Sequence, residues 1–232
     1  MFHKLKKTLL DLFFPLRCVA CKKEGAWICK NCLNRLSLRQ IQTCPICKSR
    51  PRDFGEVCDF CHGKSNLNGI FVVAESHQQV LRQLIHKFKY NFCQEVSINL
   101  AELILRNFSQ HFLSTENLIL IPVPLHPKRE RWRGFNQSAL LSSLLGSYSN
   151  MLTLKNVLLR TRHTKSQMKL KRQQRLRNLE DAFLVHGQLD SKSTYILLDD
   201  IVTTGATLEA CAKALRAAGA RQVWGLALSR GT

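Results

Sequence analysis

The chain has 232 residues, 45% of them hydrophobic, which is enough for one domain of about 150–170 residues with a core of its own and a small module beside it. No apolar run reaches the roughly 18 residues that a membrane-crossing helix needs, which excludes a protein built on transmembrane helices. Lysine and arginine number 35 against 16 acidic residues, and the formal net charge of +19 points to a polyanion partner; the rival reading is a basic surface that only aids solubility.

Residues 1–18 are basic and then apolar, in the manner of a signal peptide. Asp11 splits the apolar part, however, and no small-residue cleavage site follows. The segment reads as a short amphipathic helix packed on the body. The chain is then expected to be cytoplasmic, and peripheral to the inner membrane only through partners.

Four C-x2-C pairs follow within 44 residues: Cys18 and Cys21, Cys29 and Cys32, Cys44 and Cys47, Cys58 and Cys61. Each pair can present two thiolates to one metal, and two pairs complete a tetrahedral sulfur site. The eight cysteines therefore fit two structural zinc ions. Sequential pairing is simplest, and spacing alone also allows a cross-braced one. Four disulfides, a redox C-x-x-C and an iron–sulfur cluster are the rivals. A reducing cytosol argues against the first, and four copies in one module favour metal over the second. Residues 1–65 thus read as a terminal helix and a double zinc ribbon, with residues 66–232 as the main domain. Cys93 and Cys211 stand outside the pattern and read as packing residues.

The polar stretch 63–68 reads as the linker. Residues 69–74 then form a strand, residues 78–92 and 95–112 two amphipathic helices, and residues 118–124 a buried strand ended by Pro122 and Pro124. Residues 135–145 read as helix and 222–228 as a last strand, with Gly219 closing the helix before it. Alternating strands and helices predict an α/β fold with a mainly parallel sheet covered on both faces. The basic surplus is concentrated: residues 120–180 hold thirteen lysines and arginines against Glu130 and Glu180, and residues 1–65 hold thirteen against five acidic residues. Residues 160–178 are too polar for a packed helix and read as a mobile basic loop or a surface arm.

The most informative run is residues 195–207, Tyr-Ile-Leu-Leu-Asp-Asp-Ile-Val-Thr-Thr-Gly-Ala-Thr. Four apolar residues suit a strand covered on both faces. Asp199 and Asp200 place charge at its carboxyl end, where open α/β sheets bind ligands. Hydroxyls and a glycine come next, then a helix-forming run from Leu208. Amides at such a turn can hold a phosphate.

These residues resemble the type I phosphoribosyltransferase signature. With Phe88-Lys89-Tyr90, Pro122-Val-Pro124, Arg131-Trp-Arg-Gly-Phe-Asn-Gln137, Arg162-x-Thr164-x-x-Gln167, Arg175-x-x-Asn178 and Ala182-Phe183, the whole chain from about Phe14 to Arg230 resembles the ComF/GntX family. The resemblance implies a phosphoribosyltransferase-like domain behind a zinc ribbon. It also implies a ligand, phosphoribosyl pyrophosphate (PRPP), bound with magnesium. Asp199 and Asp200 would clamp the ribose, and Thr203, Thr204, Gly205, Ala206 and Thr207 would wrap the 5-phosphate. Val123, Pro124, Arg131 and Arg133 would face the pyrophosphate, with Lys89, Asn136 and Gln137 completing the set. It further implies a role in natural competence, handling single-stranded DNA beside competence-machinery proteins. Two functions stay open: a PRPP- and single-stranded-DNA-binding protein in which Trp132 and Phe135 stack on bases, or an active phosphoribosyltransferase whose general base no residue announces.

Overall fold

The computed structural model describes residues 16–36, 42–49, 55–75, 79–90, 95–112, 117–162, 174, 178–179 and 181–231. The expected N-terminal helix, Cys93 and most of the basic stretch 160–178 lie outside the described residues.

Five parallel strands make the main sheet, in the order β1-β7-β6-β2-β3. They are β1 (Gly69–Glu75), β2 (Leu118–Pro122), β3 (Leu152–Thr153), β6 (Thr194–Val202) and β7 (Gln222–Arg230). The central strand β6 carries the four-residue apolar run, and Tyr195, Ile196, Leu197 and Leu198 are all buried, as a strand covered on both faces requires. One face packs Ile196 and Leu198 against α2 (Gln79–Tyr90), α3 (Val96–Phe112) and α5 (Gln137–Ser149), through residues such as Leu84, Leu100 and Leu141. The other face packs Tyr195 and Leu197 against α6 (Ala206–Ala217), through Leu208 and Leu215. The expected α/β sheet with helices on both faces is what the chain adopts.

The helix α1 (Lys30–Asn34) belongs to the cysteine module, and α4 (Pro127–Arg133) is a short helix inside the basic segment. The sequence reading missed α4 because it has no apolar stripe: Trp132 is its one large apolar side chain, and it is exposed. It forms from end signals instead: Pro127 opens it, the His126 side chain accepts from the Lys128 N–H at 3.2 Å, and Gly134 closes it. The predicted helix at 135–145 begins two residues later and runs on to Ser149. Strands β4 (Leu158–Arg160) and β5 (Phe183–Val185) form an antiparallel pair that the sequence reading also missed. Each is three residues long, too short to show alternation.

Strand β6 does not stop before the acidic pair. It runs to Val202, because β7 continues beside it as far as the pairing of Val202 with Arg230. Gly219 does close α6, with φ +106°. Cys211 is buried against β6, as a packing residue should be. The segment 63–68 is polar for a reason other than flexibility: the Glu209 carboxylate accepts from Ser65 Oγ, Asn66 N and Asn66 Nδ2 at 2.6–2.7 Å, and Arg216 donates to Asn66 O and Asn68 Oδ1.

Candidate functional site

Side chains alternate across a strand, so the two adjacent carboxylates at the end of β6 leave it on opposite faces. Asp200 follows Ile196 and Leu198 onto the α2 side. There the Lys89 ammonium reaches its Oδ1 at 2.8 Å, with both side chains largely buried. Lys89 is therefore a counter-ion to the acidic pair. Asp199 follows Tyr195 and Leu197 onto the α6 side and is half-buried. Its Oδ1 accepts from the Asp200 N–H at 2.8 Å. Burial, then the neighbouring Asp200 charge, push the Asp199 carboxyl up to about 7, against the pull of Lys89 and Arg160. Desolvation and a like charge outweigh two nearby cations at this position.

After Val202 the chain turns. Gly205 takes φ +79°, a left-handed conformation that side chains resist, and α6 starts at Ala206. Thr204 Oγ1 accepts from the Ala206 N–H at 3.4 Å. Thr203 is exposed, Thr204 and Thr207 are half-buried, and Ala206 is buried. The first amides of α6 have no carbonyl of their own helix to bond, so the turn presents donors.

Beside it, the Val123 N–H donates to Leu198 O at 2.9 Å, which sets the Pro-Val-Pro segment alongside β6. Asn136 Nδ2 donates to Val123 O at 3.1 Å, while its Oδ1 accepts from Ser138 N and Ala139 N at the start of α5. Asn136 is thus a tether and a helix cap. Gln137 is 1% exposed, and its Oε1 takes a hydrogen bond from Arg133 Nη1 at 2.8 Å, so it orients Arg133. Arg131 and Lys128 are exposed, and Trp132 is 66% exposed, too open for a packing residue. Phe135 corrects an expectation: its ring lies 5.6 Å from that of buried Phe88, which makes it part of the core side and not a platform for bases.

Sequence reasoning placed Arg129 and Arg160 in the two basic stretches but gave neither a role in the site. Arg160, at the end of β4, stacks its guanidinium 5.4 Å from the Phe183 ring centroid. Burial first, and Arg129 second, pull the Arg160 guanidinium below its usual value, and Asp199 opposes them. Two guanidiniums and the half-buried carboxylate therefore share one neighbourhood. The only sequence signal was position, since β4 is too short to be recognised.

The cysteines gather sequentially, and not cross-braced. Cys18, Cys21, Cys29 and Cys32 form one cluster, and Cys44, Cys47, Cys58 and Cys61 another, with the four sulfurs of each within 4.8 Å of one another. Zinc–sulfur bonds of about 2.3 Å in a tetrahedron set sulfurs about 3.8 Å apart. Cys21 and Cys29 lie at 3.7 Å, and Cys47 and Cys58 at 3.5 Å. Both clusters therefore fit a zinc ion. The first pair of each makes the same turn: Lys22 and Lys48 both take left-handed φ, at 65° and 64°, and each bonds back to the cysteine carbonyl four residues earlier.

The chain is 32% identical to Competence protein F of Haemophilus influenzae over 93% of this chain and 98% of that protein. The chain belongs to the ComF/GntX family. It is also 31% identical to the DNA utilization protein YhgH of Escherichia coli, over 92% of this chain and 97% of that protein. Among solved structures, a hypoxanthine phosphoribosyltransferase from Staphylococcus aureus overlaps 59% of this chain and 64% of its own at a TM-score of 0.37 and 10% identity, too loose a likeness to argue from. No family model matches. No helix among the described residues is long and apolar enough to cross a membrane.

Proposed function

We propose that this chain binds PRPP with magnesium at the carboxyl end of β6 and handles single-stranded DNA during natural competence. One observation carries the reading. A half-buried carboxylate, Asp199, sits where a central strand enters a hydroxyl- and amide-lined turn at the start of a helix, with Pro122-Val-Pro124 bonded alongside. In this reading residues 203–207 take the 5-phosphate and Asp199 the ribose hydroxyls. Asp200, tied to Lys89, keeps the strand end in place. Arg131, with Arg133 oriented by Gln137, faces the pyrophosphate, and Arg129 and Arg160 add positive charge. Magnesium would lean on the ligand's phosphates and on Asp199, and would neutralise pyrophosphate charge. Exposed Trp132 supplies a stacking surface, and Lys128 and Arg131 supply phosphate contacts, for a single strand. The role in DNA uptake comes from the names of the relatives. In this reading the protein works on the cytoplasmic side, at the membrane only through competence-machinery partners.

A second reading, phosphoribosyl transfer, is favoured by one observation. A carboxyl with pKa about 7 is matched to general-base work at neutral pH. The bond from the sugar's anomeric carbon to pyrophosphate would break, the acceptor would bond to that carbon, and its proton would go to Asp199.

Calorimetric titration of metal-loaded protein with PRPP and magnesium tests the binding reading, with and without a short oligonucleotide. Binding that Asp199→Ala abolishes supports it, and no heat at any attainable concentration overturns it. Steady pyrophosphate release on adding an acceptor would move the assignment to the transferase.

A further inference from the structure

The second cysteine cluster has a position that a mere folding staple does not need. Residues 55–57 extend the sheet. Ile70 N–H donates to Gly55 O at 2.8 Å, Val57 N–H donates to Asn68 O at 2.9 Å, and Glu56 bridges Gly69 in antiparallel fashion. The outer edge of β1 is thus covered at its start by backbone that leads, within one residue, to Cys58. The fit is close: a Cβ on Gly55 would lie 2.3 Å from Ile70 O, so a side chain there would force the module off the strand. On its far side the cluster reaches the phosphate turn. Pro45 and Ile46, the two residues between Cys44 and Cys47, line one cleft of about 60 Å³ together with Lys64, the turn residues 204–206, apolar Leu67 and Ile70, and Glu209, whose carboxylate is already engaged by Ser65 and Asn66. That volume has room for a few waters, which is the scale of a phosphate group and not of a base.

We propose that the knuckle of Cys44 and Cys47 is the outer wall of the phosphate turn, so that a metal held by Cys44, Cys47, Cys58 and Cys61 sets how tightly residues 203–207 take a phosphate. The proposal rests on the phosphoribosyl-binding reading and adds regulation to it. The physical argument is rigidity. Gly205 is in a left-handed conformation, and the space against its Cα is closed by Ile70 Cδ1, 3.3 Å from where a Cβ would stand. Ile70 is held by Gly55, and Gly55 leads to Cys58. A filled tetrathiolate site fixes both Cys58 and the Pro45-Ile46 turn. Losing it releases the turn that closes the cleft, and the donor array at 203–207 must then be ordered by the ligand at the ligand's own cost.

The experiment uses full-length, metal-loaded protein and PRPP with magnesium, read by calorimetry, with hydrogen exchange of the peptide covering 203–207 in unliganded protein as a second readout. Cys58→Ser, which breaks the cluster, should weaken PRPP binding by about tenfold or more and speed exchange at 203–207. Should that variant fail to fold, Ile46→Asp decides, because it leaves all eight sulfurs in place and sets a carboxylate against the phosphate. It should keep two metals per chain and still weaken PRPP by about tenfold through like-charge repulsion. His62→Ala, at an exposed residue next to Cys61 but outside the cleft, should bind PRPP as wild type does. Unchanged PRPP affinity in Ile46→Asp, with wild type binding normally, overturns the proposal and leaves the phosphoribosyl reading standing. No binding by wild type overturns both.

Discussion

The two cysteine clusters share a ligand set and a local fold, yet they are built into the molecule by different forces. The first is held by burial. Cys18, Val19, Ile28 and Leu33 join the same apolar core as Leu84 and Leu100, on the helical face of the sheet. The Lys87 ammonium lies 4.2 Å from the Trp27 ring centroid and Arg106 donates to Asn34 Oδ1, adding polar fastening at the rim. The second cluster is held by hydrogen bonds: backbone pairing to β1, and the Glu209 and Arg216 clamps on residues 65–68. Apolar burial is non-directional and resists a change of angle poorly, whereas a hydrogen-bonded edge fixes register. Registered docking is what an element next to a ligand turn requires.

The sharpest way to break this contrast is to empty the first cluster. Cys18 is fully buried, so Cys18→Ser loses the metal and leaves a hydroxyl inside the core. The melting temperature should fall by roughly 10 °C or more. A fall of only a degree or two would mean that the first module is an appendage. Next in size is Glu209→Ala, which removes the acceptor of three short hydrogen bonds and strands part-buried donors at Ser65 and Asn66. A loss of about 2–3 kcal/mol is expected in denaturant unfolding, together with faster hydrogen exchange at residues 55–70 and unchanged exchange at residues 18–33. Equal loosening of both modules would erase the difference between them.

The contrast extends to the sheet faces. Asp200, on the side of the first cluster, has Lys89 as partner; Asp199, on the α6 side, has its carboxyl raised from 3.8 to about 7. A raised carboxyl means that the folded state keeps a proton the unfolded chain has lost. Between pH 4 and 7 stability therefore falls as pH rises, and the deficit is complete above pH 7. Asp199→Asn removes it. The full shift would be worth about 4 kcal/mol, and solvent screening of the half-buried group reduces it: the variant should match wild type near pH 4 and exceed it by about 1–2 kcal/mol at pH 8, measured as paired melting curves. A constant offset at all pH values would show that the asymmetry between the faces lies elsewhere.

Much of this was legible in the sequence where a single local signal sufficed. Four apolar residues in a row gave β6, C-x2-C spacing gave both clusters, and Gly219 marked the end of α6. What stayed hidden depended on partners distant in the chain. Strand β6 runs through the acidic pair because β7 continues beside it, a pairing across some 28 residues. Residues 63–68 looked like a linker because side chains committed to Glu209 and Arg216 have the same composition as a solvated loop. The resemblance named the site residues without their division of labour. Asn136 caps a helix, Lys89 neutralises Asp200, and Arg160 enters from a strand three residues long.

The smallest expected effect is the most discriminating for the comparison. Lys87 stacks on Trp27 of the first module while Lys89, two residues along α2, pairs with Asp200. Residues two apart on a helix do not face each other, so loss of one contact should leave the other intact. Lys87→Ala should cost about 0.5–1 kcal/mol of stability, the value of a partly exposed cation–π contact, and should leave PRPP affinity and zinc content unchanged. A drop in PRPP affinity would mean that α2 transmits strain from the first cluster to the acidic pair. Both clusters would then act on the ligand site, and the separation argued above, one module for the core and one for the turn, would fail.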